Sequence, residues 1–364
     1  MNPLRLACFI SEHGFGHATR TSAILTALQA RIGSLEVDIF SAAPRKLFNL
    51  PGADLRFHSE RVDVGLVQRN AFEFDLDATV HALDSLLPFD DARVEQLANL
   101  VAARRCHGVI CDIAPIGLAV ARRVGIPGIL VENFTWDWIY RNLAEPCLEV
   151  YAEILEAWFE TASLRIQAEP VCAPHPTALT TLPISRMPKF SSAETRRLLA
   201  FDEQTRVVLL SLGGTAHDFS FIDRVQRQIY PVHLLLAGET SSESCRVARI
   251  PAEFDHPSLM ASFDAVIGKA GYSTVAEAYA CGVPFGCFSR PGFPESAVIT
   301  NFVRQHLPNV VLDGSTFASG DWAGRIDHLL SLQRHSPQPI NGANQAARLI
   351  VDRLLPVVMQ AHEC

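Results

Sequence analysis

Chemistry is first concentrated where a histidine closes a glycine-flanked turn, Gly14-Phe15-Gly16-His17, directly behind the apolar run Leu6–Ile10. An imidazole is the side chain best suited to accept a proton near neutral pH, and the two glycines let the backbone turn tightly and come close to a ligand. Past the turn, Ala18, Ile24, Leu25 and Leu28 are spaced for one buried helical face, so the segment reads as strand, loop and helix N-terminus. Such a junction aims backbone N–H groups and the positive end of the helix dipole at an anionic or hydroxyl-rich ligand. Neither common nucleotide motif fits. His17-Ala18-Thr19 stands where the dinucleotide fingerprint needs its third glycine, and no Gly-Lys-Ser/Thr completes a P-loop. His13 and His17 could equally cap the helix or fill a polar niche, so a reading of His17 as a base leans on a second constellation.

That constellation lies in the other half of the chain. The apolar run Arg206–Leu212 ends at Gly213-Gly214-Thr215, and Ala265-Val266-Ile267 leads into Gly268-Lys269-Ala270-Gly271-Tyr272-Ser273-Thr274-Val275-Ala276-Glu277. Glycines there permit close approach, the Ser273 and Thr274 hydroxyls and the helix-start N–H groups suit pyrophosphate oxygens, and Glu277 one turn inside can accept from ribose hydroxyls. The same pattern also fits a capped helix start, with Ser273 or Thr274 as N-cap and Glu277 completing a capping box. Arg290 and Glu295 sit on a proline-containing loop just past the next apolar run, Phe285–Phe288.

The elements that must position these residues alternate. Glu36–Ser41 and Leu55–His58 read as strands, residues 71–104 carry helical spacing, and Gly108–Asp112 is a short apolar strand ending in a carboxylate. A helix over Ile116–Val124, a strand over Gly128–Glu132, an amphipathic helix from Ala144 to Ala162 and a strand over Leu164–Ala168 follow. Strands alternating with helices give a parallel sheet, whose ligands bind outside the carboxyl ends of the strands. His17, Asp112, Glu132 and Asn133 all fall at such ends. The aromatic stretch Asn133–Tyr140 can stack on a sugar or plug an interface. Prolines crowd residues 169–190, and the strand–helix pattern restarts beyond them, with strands over Val232–Ala237 and Asn309–Leu312 and helices from Trp322 and from Gly342. The expected class is α/β, with two Rossmann-like parallel-sheet domains. One domain spans 1–168, a linker spans 169–195, a second domain spans 196–340, and a terminal helix over 341–364 packs back toward the first.

Composition bounds the rest. At 364 residues the chain is long enough for two domains, and with 48% hydrophobic and 19% charged residues it is globular rather than disordered. A net charge of −8, with no dense Lys/Arg run, argues against nucleic-acid binding. The nine cysteines show no C-x-x-C and no zinc-ligand spacing. Cys8, Cys111, Cys281 and Cys287 lie within apolar runs and read as buried hydrophobes, which suits a reducing compartment. No stretch reads as a signal peptide or a membrane span, so a cytoplasmic location is expected.

Two parallel-sheet domains, a linker and a Gly-rich mouth on each side of a shared cleft resemble a GT-B glycosyltransferase. Gly268–Glu277, with Gly271, Thr274 and Glu277 in place, resembles the donor-nucleotide segment of the peptidoglycan N-acetylglucosaminyltransferase and its relatives. The Gly14–His17 loop resembles their N-terminal loop. A narrower likeness covers nearly the whole chain: Gly14–Arg20, Asn133–Tyr140 and Arg290–Glu295 are similar to the glycosyltransferase-like N-terminal region of plant arabinokinases. No Gly-Leu-x-Ser-Ser loop of a sugar kinase occurs, so kinase activity is not implied. The resemblance implies a nucleotide-sugar donor, UDP-linked, with no obligatory metal or further cofactor, and inversion at the anomeric carbon. Gly213, Gly214, Thr215, Gly271, Ser273 and Thr274 would hold the diphosphate and Glu277 the ribose. Arg290 and Glu295 would touch diphosphate or sugar, Gly14 and Gly16 would line the first mouth, and His17 would take the proton of an acceptor hydroxyl. Asp112 resembles the acid that orients the histidine in plant small-molecule glycosyltransferases. A non-catalytic nucleotide-sugar-binding module and a GT-B epimerase, the latter working through Glu132 and Glu295, are the alternatives.

Overall fold

The protein is described by a computed structural model covering residues 3–48, 50–69, 73–212, 219–237, 248–250, 255–290 and 292–360, without side chains at 248–249 and 355–360. The chain divides into two compact units: Met1–Val67, Phe74–Ile184 and Ile340–Cys364 form the first, and Gln68–Glu73 with Ser185–Pro339 the second.

In the first unit the elements run β1 (Leu4–Ile10), α1 (Phe15–Ile32), β2 (Leu35–Ser41), β3 (Asp54–Ser59), α2 (Leu76–Asp84), α3 (Asp91–Ala103) and β4 (Gly108–Asp112). They continue as α4 (Pro115–Val124), β5 (Gly128–Glu132), α5 (Trp136–Leu143), α6 (Glu149–Phe159), β6 (Leu164–Ala168) and β7 (Leu179–Thr181). The strands form one parallel sheet in the order β3-β2-β1-β4-β5-β6-β7. β4 and β5 are buried along their whole length, as unbroken apolar runs require when helices cover both faces of a sheet. The strand order reverses between β1 and β4, where Ile10 is in register with Asp112. The crevice at such a reversal is where doubly wound sheets take their ligands.

The second unit repeats the plan. Its elements are α7 (Ser192–Leu198), β8 (Val207–Ser211), α8 (Ile222–Ile229), β9 (His233–Ala237), β10 (Ala248–Arg249), α9 (His256–Ser262) and β11 (Ala265–Lys269). After these come α10 (Tyr272–Cys281), β12 (Phe285–Phe288), α11 (Pro294–His306), β13 (Asn309–Leu312) and α12 (Ile326–Ser331). The parallel order is β10-β9-β8-β11-β12-β13, and the reversal falls between β8 and β11. Gly268 is required there, because a Cβ would lie 2.7 Å from the Ser211 carbonyl oxygen on the neighbouring strand. The final helix, α13 (Gly342–Gln360), belongs to the first unit. Gly342 permits its start, since a Cβ would fall 1.9 Å from the Leu182 carbonyl oxygen.

Several expected elements come out differently. Residues 71–104 are not one helix: α2 ends at Asp84 and α3 starts at Asp91 behind the Asp90 N-cap, with Pro88 between them. Proline lacks the N–H a continuous helix needs, and the break leaves Leu100 exposed although its spacing reads as core. The 144–162 helix begins only at Glu149, because Ala144 adopts a left-handed conformation and Pro146 opens a 3₁₀ turn. The aromatic stretch ahead of it is itself helical, as α5. Within the proline-rich 169–195 segment, β7 adds an edge strand to the first sheet.

Candidate functional site

In the first unit, α1 begins at Phe15, so Gly16 and His17 lie in its first turn rather than in the loop before it. Its N-cap is Gly14, at φ +78°, a conformation that favours glycine and gives no side-chain cap. His17, Arg20 and Thr21 follow at i, i+3 and i+4 and therefore share a face. That face meets Asp112 at the end of β4. His17 Nδ1 lies 2.8 Å from Asp112 Oδ1, Arg20 Nη2 donates to the same oxygen at 2.5 Å, Arg20 Nε donates to Oδ2 at 2.9 Å, and the Thr21 hydroxyl donates to Oδ2 at 3.0 Å. Arg20 Nη1 also donates to Asn133 Oδ1 at 2.7 Å.

Burial alone would raise the Asp112 carboxyl, but the Arg20 charge and the bonds from His17 and Arg20 outweigh it and hold the group below the usual carboxylate range. An ionised Asp112 can only accept, so its 2.8 Å contact puts the His17 proton on Nδ1 and the lone pair on Nε2, and the 3.2 Å approach of Arg20 Nη2 to the same nitrogen is then not a hydrogen bond. Burial, aided by the Arg20 charge, lowers the His17 imidazole below its ordinary value despite the Asp112 bond, which keeps the ring neutral at pH 7. Nε2 has no hydrogen-bond partner among the described residues and is not among the solvent-sealed unpartnered atoms.

Beside this cluster, Trp136 Nε1 donates to Asp63 Oδ2 at 2.9 Å, Asp63 Oδ1 is sealed without a partner, and the Tyr140 hydroxyl donates to the Gly65 carbonyl oxygen at 2.9 Å. Burial, with the Glu12 and Asp112 charges adding to it, raises the Asp63 carboxyl to about 7 against the Ser11 hydroxyl and Trp136 indole groups that favour its ionised form. The folded chain therefore holds a proton that the unfolded chain releases near pH 4, and stability declines as pH rises from there to about 7. Asp63→Asn keeps an acceptor for Trp136 and removes that decline. Its gain over the parent should grow between pH 4 and pH 7 to on the order of 3 kcal/mol. Parallel melting-temperature curves for the two proteins across that range would dismiss the idea.

Glu132 stands at the end of β5 with Oε1 held by Arg165 at 2.9 Å and Gln167 at 2.7 Å, a buried bracing contact between β5 and β6.

In the second unit, Gly213, Gly214 and Thr215 lie outside the described residues. The N-cap of α10 is Gly271, with no side-chain cap bond, so neither Ser273 nor Thr274 takes that position and no capping box forms. Ser273 is half-buried in the first turn and Thr274 is buried. The Glu277 carboxylate turns instead to two partners the sequence did not announce. Arg186 donates to Oε1 through Nη2 at 2.9 Å and Nε at 3.1 Å, while His256 Nδ1 lies 2.5 Å from Oε2. The other ring nitrogen, His256 Nε2, lies 2.7 Å from the Ser211 hydroxyl at the end of β8. Burial would raise the Glu277 carboxyl, yet the Arg186 and His256 charges hold it below the usual range. Arg290 and Glu295 are both buried, past β12 and in the first turn of α11. Among the described residues no group of three or more His, Cys, Asp or Glu side chains is placed to hold a metal ion, and no helix is long and apolar enough to cross a membrane.

Among solved structures, the UGT89C1 of Arabidopsis thaliana in complex with UDP-L-rhamnose matches at a TM-score of 0.64 and 12% identity, covering 97% of this chain and 100% of that one. The glycosyltransferase SnogD of Streptomyces nogalater matches at a TM-score of 0.58 and 17% identity, again covering 97% of this chain and 100% of the other. The fold is GT-B. No protein-family model matches the sequence. A curated relative, the L-arabinokinase of Arabidopsis thaliana, is 25% identical over 362 residues, which is 95% of this chain and 34% of that protein. The chain thus spans about a third of the length of the curated relative it matches. For a GT-B chain, the residues missing from the sequence reading are Arg20, Thr21, Arg186, Ser211 and His256. Only Arg20 and Thr21 had a local signal, their helical spacing from His17.

Proposed function

We propose that the chain is a glycosyltransferase that moves a sugar from a UDP-sugar to an acceptor hydroxyl with inversion at the anomeric carbon. The observation that carries this reading is the His17 ring, neutral and fixed by Asp112 through Nδ1, with Nε2 unpartnered among the described residues at the β1/β4 strand-order reversal of a GT-B fold. In this reading the acceptor oxygen bonds to the anomeric carbon as the bond from that carbon to the diphosphate breaks. The breaking bond's electron pair leaves on the β-phosphate oxygen, and the acceptor's proton passes to His17 Nε2. Asp112 is a positioning residue that stabilises the imidazolium formed. The donor belongs to the second unit, with its phosphates at the Gly213–Thr215 loop, Gly271, Ser273 and Thr274, and with Arg290 and Glu295 against diphosphate or sugar. No metal or further cofactor is assigned a part. Glu277 accepts from ribose hydroxyls; its Oε2 has one partner among the described residues, and a carboxylate oxygen can accept twice. Gly14 and Gly16 shape the acceptor mouth. Buried free cysteines such as Cys8 and Cys281 suit a reducing compartment, and we place the activity in the cytoplasm on that basis.

A thermal-shift series with UDP, UDP-sugars and other nucleotides tests the donor assignment, because a ligand that binds only the folded state raises the melting temperature with concentration over Kd. UDP should stabilise the parent, and Glu277→Ala should weaken UDP binding measured by calorimetry by about 10-fold or more, the loss of a hydrogen bond to a charged group. Unchanged UDP affinity in that variant would remove the ribose role. UDP binding with neither transfer nor release of sugar across a donor and acceptor panel would favour the non-catalytic binding module.

A further inference from the structure

Ser211, His256 and Glu277 stand in line, and the bonds that join them fix the direction in which a proton can move. His256 Nδ1 lies 2.5 Å from Glu277 Oε2, and Nε2 lies 2.7 Å from the Ser211 hydroxyl. An ionised carboxylate only accepts, so a ring carrying one proton holds it on Nδ1 and leaves its lone pair on Nε2. The Ser211 hydroxyl must then donate to that lone pair. A hydroxyl bonded to an imidazole whose other nitrogen is oriented by a carboxylate is the arrangement of an activated nucleophile, and it is recognised by geometry whatever the fold. Each member is held from outside the line. Arg186 donates twice to Glu277 Oε1, which leaves Oε2 to the ring. His256 opens α9, where the N-cap Asp255 accepts from the Ser258 N–H at 3.2 Å and from the Ser258 hydroxyl at 2.7 Å. Ser211 ends β8 at the β8/β11 reversal, and its in-register neighbour on β11 is Gly268, which brings no side chain. A Cβ on Gly268 would lie 3.2 Å from Thr274 Cγ2 as well as 2.7 Å from the Ser211 carbonyl oxygen, so the first turn of α10 adjoins Ser211. That turn has no side-chain cap, and its leading N–H groups have no partner within the helix, so they can meet a negative oxygen.

We propose that Ser211 is the nucleophile of a second, hydrolytic activity that cleaves short-chain carboxylic esters, with His256 as its base and Glu277 as the group that orients the ring. Ser211 is 3% exposed and the His256 side chain 21%, so the line opens to solvent at the imidazole and suits an acetyl-sized group rather than a long chain. Ser211 Oγ bonds to the ester carbonyl carbon while its proton passes to His256 Nε2 and the carbonyl electron pair moves onto oxygen. As that pair returns, the bond to the alcohol oxygen breaks and His256 gives the proton to the departing alcohol. Water then adds to the acyl-serine by the same route, which releases the carboxylic acid and restores the Ser211 hydroxyl. This activity shares Glu277 with the ribose contact proposed above but needs no nucleotide, so the two readings stand or fall separately.

The test is labelling with methanesulfonyl fluoride, a small reagent for activated serines, on the parent, Ser211→Ala and His256→Gln, with melting curves to confirm folding and peptide mass spectrometry to locate the label. The parent should be sulfonylated at Ser211 and should lose hydrolysis of p-nitrophenyl acetate in step with that labelling. Ser211→Ala should show neither the label on that peptide nor the hydrolysis that labelling abolishes. His256→Gln should be labelled about 10²–10⁴-fold more slowly, the usual worth of a positioned base. No label on Ser211 in the folded parent, or equal labelling rates in the parent and His256→Gln, would overturn the proposal. If His256→Gln does not fold, the parent decides alone: a label on Ser211 that abolishes ester hydrolysis retains the activity, and one that leaves hydrolysis untouched overturns it.

Discussion

Replacing His17 by alanine is expected to lower the rate of sugar transfer by about 10²–10⁴, the usual worth of a positioned general base, while UDP binding is unchanged. The separation follows from placement: His17 belongs to the first unit, and the donor contacts assigned above all belong to the second. The pH profile gives a sharper signature. The base works only when neutral, so the rate should fall on the acid side below the ordinary imidazole range, since burial lowers the His17 value. Removing the carboxylate with Asp112→Asn takes away the interaction that raises it, so the acid limb should move to still lower pH even as the rate drops. A merely structural role for Asp112 would lower activity without moving that limb. Equal turnover in His17→Ala and the parent would remove His17 from the mechanism.

The fold was legible in the sequence because its central strands carry an unambiguous mark. Leu6–Ile10, Gly108–Asp112, Gly128–Glu132 and Val207–Ser211 are short apolar runs, and each is buried where a parallel sheet needs it. The helical segments were less legible at their ends. Spacing alone joins residues 71–104 into one helix, and only the backbone chemistry of Pro88 and the Asp90 cap divides it. For the first cluster, the nearness of His17 to Asp112 follows from their places at adjoining strand ends, whereas Arg20 is hidden. An arginine in the second turn of a helix ordinarily reads as a solvated face, and only a carboxylate 92 positions away explains its burial. In the second unit, Ser211, His256 and Glu277 are joined by contacts across 45 and 21 positions that no local pattern announces. There the local pattern misled: the hydroxyls and the acid at Ser273, Thr274 and Glu277 suggest a capping box, yet Gly271 takes the cap and the acid is drawn to Arg186.

Arg20→Met is expected to destabilise the protein by about 3–5 kcal/mol at pH 8, the cost of leaving a buried charge without its partner. Arg20 is 1% exposed and Asp112 fully buried, so solvent cannot substitute for the lost guanidinium. The sign of the pH dependence distinguishes charge from packing. In the parent the folded Asp112 carboxyl lies below its unfolded value, so its contribution to stability is present above about pH 4 and is lost as pH falls through the folded value. In the variant Arg20 no longer outweighs the effect of burial, the folded carboxyl rises above the unfolded value, and stability instead declines as pH climbs from about 4. The gap between the two proteins should therefore widen from pH 4 to pH 8. Adding Asp112→Asn to Arg20→Met should recover part of the loss at pH 8, because the buried charge is then gone. Denaturant midpoints that differ by the same amount at pH 4 and pH 8 would assign the loss to the packing of the arginine stem. Such a result would also remove Arg20 as the group that keeps Asp112 ionised, and with it the reason the His17 proton stays on Nδ1.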